Sequence, residues 1–191
     1  MDWEFFVLNY IQKYIKNDTL DIIMPLISLL GAVGALWIIM CLGSLLIKKH
    51  RRLGRMLFCD LLVNLIACNL IIKPIVNRIR PYDLNSTVNL IVPPEIDPSF
   101  PSGHTFFAFG AATICFLYNK KLGLAAYVIA FLIAFSRLYL YIHFPTDVLC
   151  GAVFGTLLAF GAAALEKTIF AGHYLKPHPE PEQTNEPEPE K

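Results

Sequence analysis

The sequence predicts an all-α integral membrane helical bundle, with an interfacial N-terminal helix followed by five transmembrane helices. Three observations carry this reading. Apolar residues make up 55% of the 191 residues, and mean hydropathy is +0.53, too high for an ordinary soluble domain. The apolar residues fall in blocks close to the roughly 20 residues that cross a hydrocarbon core about 30 Å thick. The strongest basic segment, Lys48-Lys-His-Arg-Arg-Leu-Gly-Arg55, lies between two such blocks, as a cytoplasmic loop does. The formal net charge of +1 gives no electrostatic case for nucleic acid. Cys41, Cys59, Cys68, Cys115 and Cys150 all lie in apolar blocks without Cys-x-x-Cys spacing, so neither a disulfide framework nor a cysteine metal site is expected.

Residues 1–17 form the interfacial helix. The stretch is apolar but too short to span, with Trp3 and Tyr10 suited to headgroup level. It has no basic leader, so the first span is expected to act as an uncleaved signal anchor. Asn17-Asp-Thr19 is a break with capping residues. The first span, 20–47, carries Gly31 and Gly34, which suit close helix packing. The second, 56–76, runs outward from the basic loop. Its Asp60, Asn64, Asn69 and Lys73 must face protein or water, and Asp60 is expected to be structural, with Arg55 as its partner. The loop 77–100 is kept irregular by Pro81, Pro93, Pro94 and Pro98, and its Leu90-Ile-Val92 is hydrophobic enough to dip into the interface. Spans 103–118, 122–140 and 146–168 follow, the first two joined by the short basic turn Asn119-Lys-Lys121. Gly151, Gly155 and Gly161 form a small-residue stripe on the last. The membrane domain is thus 1–172. The Pro/Glu-rich tail 173–191, with His173 and His178 in or near it, is expected to be disordered in the cytoplasm.

This topology brings Lys73, Arg80, His104, Arg137, His143 and Asp147 to one face, the outer one. Three cations around one point describe an anion site, and the arginine fork suits phosphate oxygens. Pro101-Ser-Gly-His104 opens the third span. Ser102 suits an N-cap and can add a donor, Gly103 lets a ligand approach, and helix-start N–H groups favour an anion. His143 stands four residues before Asp147, whose carboxylate can accept its Nδ1–H and leave Nε2 free as a nucleophile. His104 is then the general acid and base. Lys73, Arg80 and Arg137 neutralise the phosphoryl oxygens, so no metal and no cofactor is called for. Tyr82 and Asp83 are candidates for shaping the pocket, while Phe106, Phe107 and Phe109 read as packing.

Lys73-x6-Arg80-Pro81, Pro101-Ser-Gly-His104 and Ser136-Arg137-x5-His143-x3-Asp147 together resemble the three motifs of the type-2 phosphatidic acid phosphatase superfamily. The resemblance covers about 73–155 by motif and implies the same roles: His143, His104 and Asp147 catalytic; Lys73, Arg80, Ser102, Gly103 and Arg137 on the phosphate. It implies a metal-independent lipid phosphatase of the cell membrane. The active site faces outside, a phosphohistidine is the intermediate, and the partners are the bilayer and a lipid phosphate. Undecaprenyl diphosphate is the first expected substrate, with phosphatidic acid and phosphatidylglycerophosphate next. A phosphotransferase using the same phosphohistidine, and a non-catalytic lipid-phosphate binder or transporter, are the alternatives.

Overall fold

The computed structural model describes residues 2–170, and among them every regular element is helical. Helix α1 (Asp2–Tyr10) continues into a π-helical turn, Ile11–Ile15. The Asn17 side chain accepts the Leu20 N–H at 3.0 Å and so caps α2 (Asp18–Gly31). The first expected span is two helices. α2 and α3 (Ala35–Leu46) meet at 46° across the 3-10 turn Ala32–Gly34. Gly34 makes the break possible, because its φ of 70° lies in the left-handed region that glycine enters without a Cβ clash. Gly31 does serve packing, since a Cβ there would lie 2.8 Å from Ile133 and 3.0 Å from the His104 ring.

Helix α4 (Arg51–Asn64) passes through a π-helical stretch, Leu65–Ile72, into α5 (Lys73–Val76). After the short α6 (Pro81–Leu84) and an irregular loop come α7 (Gly103–Tyr118), α8 (Lys120–Tyr139) and α9 (Pro145–Ile169). The segment Lys48–Leu84, α8 and α9 are long and apolar enough to cross a membrane, and the bent α2–α3 pair passes as a fourth crossing. α7, with 16 residues, is apolar but shorter. It is the central helix: from Thr105 to Cys115 every residue but Phe107 is buried, and α4, α8 and α9 surround it.

Glycine sets the α7–α9 spacing. A Cβ at Gly151 would lie 2.8 Å from the Ser102 carbonyl oxygen, and one at Gly155 would run into the Phe106 carbonyl. Gly161 does not belong to this seam, contrary to the expected stripe, for nothing lies within 4 Å of where its Cβ would be. At 3.6 residues per turn the stripe continues instead through Ala159 and Ala162, both buried.

One further expectation changes. Asp60 does not pair with Arg55, because five residues place them about 140° apart around the helix. Asp60 Oδ2 accepts from Asn64 Nδ2 at 3.0 Å, one turn on, and Arg55 Nε reaches Glu166 Oε1 at 2.9 Å. Leu90 and Val92 pack against the protein, in clusters with Tyr139, Leu140 and Tyr141, while Ile91 between them is exposed. The tail 173–191 and its histidines lie outside the described residues.

The bundle has two distinct ends. His50 Nδ1 lies 3.0 Å from Tyr118 Oη, which with the Arg55–Glu166 pair brings both basic loops and the end of α9 together. The opposite end gathers α1, the 77–102 loop and the 139–147 segment.

Candidate active site

Lys73 arrives at the end of the π-helical stretch and is buried. Arg80 stands just before Pro81, and Arg137 lies in the last turn of α8; both are buried. His143 lies in the break between α8 and α9, and Asp147 in the first turn of α9. His104, in the first turn of α7, lines a cavity of about 240 Å³ together with Lys73, Gly103 and His143. The expected cluster therefore converges, although it is drawn from four separate stretches of chain. Arg80, Arg137 and Asp147 stand behind the cavity wall, beside Glu95, Asp97 and His143 that line it, and Ser102 is turned away. It stands at the start of α7, but its hydroxyl pairs with Thr105 Oγ1 at 3.0 Å and does not line the cavity. Gly103 faces inward, and an added Cβ would sit 3.7 Å from Lys73 Nζ.

The cations already hold anions that the sequence reading missed. Glu95 and Asp97, from the Pro93-Pro-Glu-Ile-Asp-Pro98 loop, lie on them. Arg80 Nη2 is 2.7 Å from Glu95 Oε2 and 2.8 Å from Asp97 Oδ1. Arg137 Nη2 pairs with Glu95 Oε1, and Lys73 Nζ with Asp97 Oδ2. Burial alone would raise the Glu95 carboxyl, but the Arg137 and Arg80 guanidinium groups hold it down at about 2. Its hold on the cations is thus complete above its ordinary value near 4.5 and is lost as pH falls towards 2. Burial also works against the Asp97 carboxylate, and Lys73 and Arg80 more than offset it, leaving its pKa lowered. Tyr82 fixes this loop rather than the cavity wall. Its hydroxyl donates to the Glu95 carbonyl at 2.8 Å and accepts the Glu95 N–H at 3.1 Å. Asp83 makes a backbone turn, its N–H donating to the Arg80 carbonyl.

His143 presents different surroundings to its two nitrogens. Nε2 faces the anion site, 3.4 Å from Arg80 Nη1 and 3.8 Å from Glu95 Oε2. Nδ1 faces Asp147, but the direct hydrogen bond expected from sequence is not made. Asp147 Oδ2 is 3.6 Å away, and Ser99 Oγ stands beside both, 3.4 Å from Nδ1 and donating to Oδ2 at 2.5 Å. The carboxylate is drawn aside because it also accepts the Phe144 N–H at 2.9 Å, closing the start of α9. Burial first, then Arg137 and Arg80, pushes the imidazole well below its ordinary pKa, so it stands neutral with a lone pair available.

An apolar cavity of about 370 Å³ between α3 and α4, bounded by Ile38, Leu42, Phe58 and Leu62, meets the polar one at Asn69 and Phe107. Phe106 and Phe109 are core residues as expected, whereas Phe107 lines both cavities. Glu95, Asp97 and Ser99 escaped notice because a Pro-rich loop carries no periodicity that says where its side chains point. Two acids within a short proline-bounded segment, facing a chain with three unpaired cations, was the one available signal.

The model of the PAP2 superfamily matches residues 53–170. An undecaprenyl-diphosphatase of Sulfolobus acidocaldarius is 27% identical over 82% of this chain and 75% of that protein. The bacitracin transport permease protein BcrC of Bacillus licheniformis is 40% identical, over 42% of this chain and 39% of its own length. Among solved structures, Aquifex aeolicus LpxE superposes with a TM-score of 0.71 and 25% identity, over 85% of this chain and 93% of that one.

Proposed function

The chain belongs to the PAP2 superfamily and is a membrane phosphatase of that family, and on that premise we propose that it hydrolyses a lipid phosphomonoester or diphosphate at the extracytoplasmic leaflet through a phosphohistidine. The observation that carries the reading is the neutral Nε2 of His143 with Arg80 3.4 Å away, Lys73 and His104 on the same cavity, and Arg137 joined to Arg80 through Glu95. Nε2 attacks phosphorus, the bond from phosphorus to the leaving oxygen breaks, and His104 supplies that oxygen with a proton. His104 then takes a proton from water, whose oxygen attacks phosphorus. The N–P bond breaks, and inorganic phosphate leaves. Charge developing on the phosphoryl oxygens falls on the three cations, so the reaction is expected to need no metal.

A lipid is favoured because the apolar cavity adjoins the polar one, sharing Asn69 and Phe107 with it, which gives a hydrocarbon chain a place beside the phosphate site. Undecaprenyl diphosphate is the first choice, supported by the name of the Sulfolobus acidocaldarius relative. Phosphatidic acid and phosphatidylglycerophosphate follow. The membrane domain is taken as 1–172, with the tail cytoplasmic, from the basic loop Lys48–Arg55 at the end away from the site.

Phosphate release by purified protein on these three lipids and a soluble monoester, in excess chelator, tests the activity. Turnover led by the diphosphate is expected. Turnover that needs added metal, or phosphate passed to an acceptor lipid without release, would overturn the proposal. In the same series, a thiol label at Ser86→Cys should react from outside intact cells, and exclusive labelling from within would reverse the leaflet.

Glu95 and Asp97 must leave the cations when a phosphate binds. The Glu95→Gln, Asp97→Asn double variant is therefore expected to bind orthovanadate at least about 10-fold more tightly, roughly 1.4 kcal/mol. An unchanged or weaker inhibition constant would show that the two carboxylates do not compete with the phosphate.

A further inference from the structure

Helix α1 has two faces. Trp3, Phe6, Tyr10 and Tyr14 are exposed on one, as expected of a helix lying at a membrane surface. The other face runs along the segment that carries the nucleophile. Gln12 Nε2 donates to the Tyr139 carbonyl at 2.7 Å, and Tyr141 Oη donates to Asn9 Oδ1 at 3.0 Å. The Phe5 and Phe144 rings meet edge to face at 5.3 Å, and Leu8 is buried with Tyr141 and Phe144. Thr146 Oγ1 donates to Glu4 Oε1 at 2.5 Å.

The contact that reaches furthest runs through Glu4, a carboxylate 4% exposed. Its Oε2 lies 2.7 Å from Arg78 Nη2, and Arg78 Nη1 lies 2.5 Å from Asp147 Oδ1 and 2.6 Å from Thr146 Oγ1. The guanidinium is also stacked over the Phe144 ring, 4.1 Å from its centre. Asp147 is thus shared between two customers. Oδ1 serves Arg78, while Oδ2 serves Ser99, the Phe144 N–H and the Nδ1 side of His143. A cation on Oδ1 weakens the negative field that Asp147 presents to the imidazole, and an anion behind that cation restores part of it. Neither motif arginine does this. Arg80 and Arg137 face the phosphate side, and Arg78 faces the carboxylate side.

We propose that Glu4 and Arg78 are positioning residues that set how Asp147 supports His143, so that α1 is a working part of the active site as well as a surface anchor. This rests on His143 being the nucleophile. The charged and titratable groups facing His143 are Arg80, Arg137, Lys73 and Glu95 on the Nε2 side and Asp147 on the Nδ1 side, with His104 across the cavity. Arg78 and Glu4 come next behind Asp147.

The test is the low-pH limb of kcat, which marks protonation of His143. In Arg78→Gln a positive charge is lost, imidazolium forms more readily, and the limb is expected to move up by about 1 unit. In Glu4→Gln a negative charge is lost, Arg78 acts unopposed, and the limb is expected to move down. KM should stay within about 2-fold in both, since neither residue touches the phosphate site, so the change is expected in the pH profile of kcat and not in substrate binding. Arg78→Lys, which keeps the charge without the fork, should retain the wild-type limb. A purely structural role would lower kcat and melting temperature together without moving the limbs apart. Limbs that stay put, or shift in the same direction, overturn the inference, and if Glu4→Gln does not fold, the Arg78 pair decides alone. Should His143→Ala keep turning over, the parent mechanism fails instead, which this series separates cleanly.

Discussion

His143→Ala is expected to abolish phosphate release, lowering kcat by about 10³-fold or more, because Nε2 is the nitrogen beside Arg80, and His104, the other imidazole on the cavity, is taken up with proton transfer. His143 is also almost fully isolated, 1% exposed and flanked by Arg80 on one side and Ser99 on the other. Rapid alkaline quench of wild-type protein turning over phosphorus-labelled substrate should trap label on the chain, base-stable and lost on acidification as a phosphohistidine is. The variant should trap none. Label that survives His143→Ala, or turnover that does, would move the nucleophile elsewhere. His104→Ala is expected to separate the two half-reactions. It removes the proton donor and the base, so a substrate with a good leaving group should still load His143 while hydrolysis of the intermediate slows by roughly 10²-fold or more.

The second large effect lies in the bundle and not in the cavity. Gly155→Leu should yield no monodisperse protein in detergent, and Gly155→Ala should lose about 1–3 kcal/mol of stability. The seam leaves no room, since a Cβ at Gly155 would meet the Phe106 carbonyl and lie 3.2 Å from the Gly110 nitrogen. Backbone atoms cannot rotate away as a side chain would, so α7 as a whole would have to move off α9. α7 carries His104 and α9 carries Asp147, which ties the activity to this spacing. Gly155→Ala is therefore expected to lose kcat beyond what the change in melting temperature explains. Gly161→Ala, six residues on and facing open space, is the control and should stay within about 0.5 kcal/mol of wild type. Equal melting temperatures for Gly155→Ala and wild type would mean that the seam yields, and that glycine there is incidental.

The sequence alone determined the class of this protein's fold and named the residues expected to carry its chemistry. Block-wise hydropathy needs no tertiary contact to be read, because a bilayer imposes its thickness on each helix separately. Lys73, Arg80, His104, Arg137, His143 and Asp147 could be gathered at one end from span direction alone, since ionisable groups at span ends are confined to one side or the other. Tertiary structure decided what lies between those residues. The break at Gly34 depends on how α2 and α3 each pack, which no local propensity states. The Asp147–His143 relation turned on competition: one carboxylate has two oxygens, and Ser99, Arg78 and the Phe144 N–H all claim them. Glu95 and Asp97 reach the cations from an irregular loop, and Glu4 reaches Arg78 from 74 residues away in sequence. Such contacts are set by the closing of the whole bundle. A charge in a loop has no period to announce its direction, so only the folded chain reveals which partner it meets.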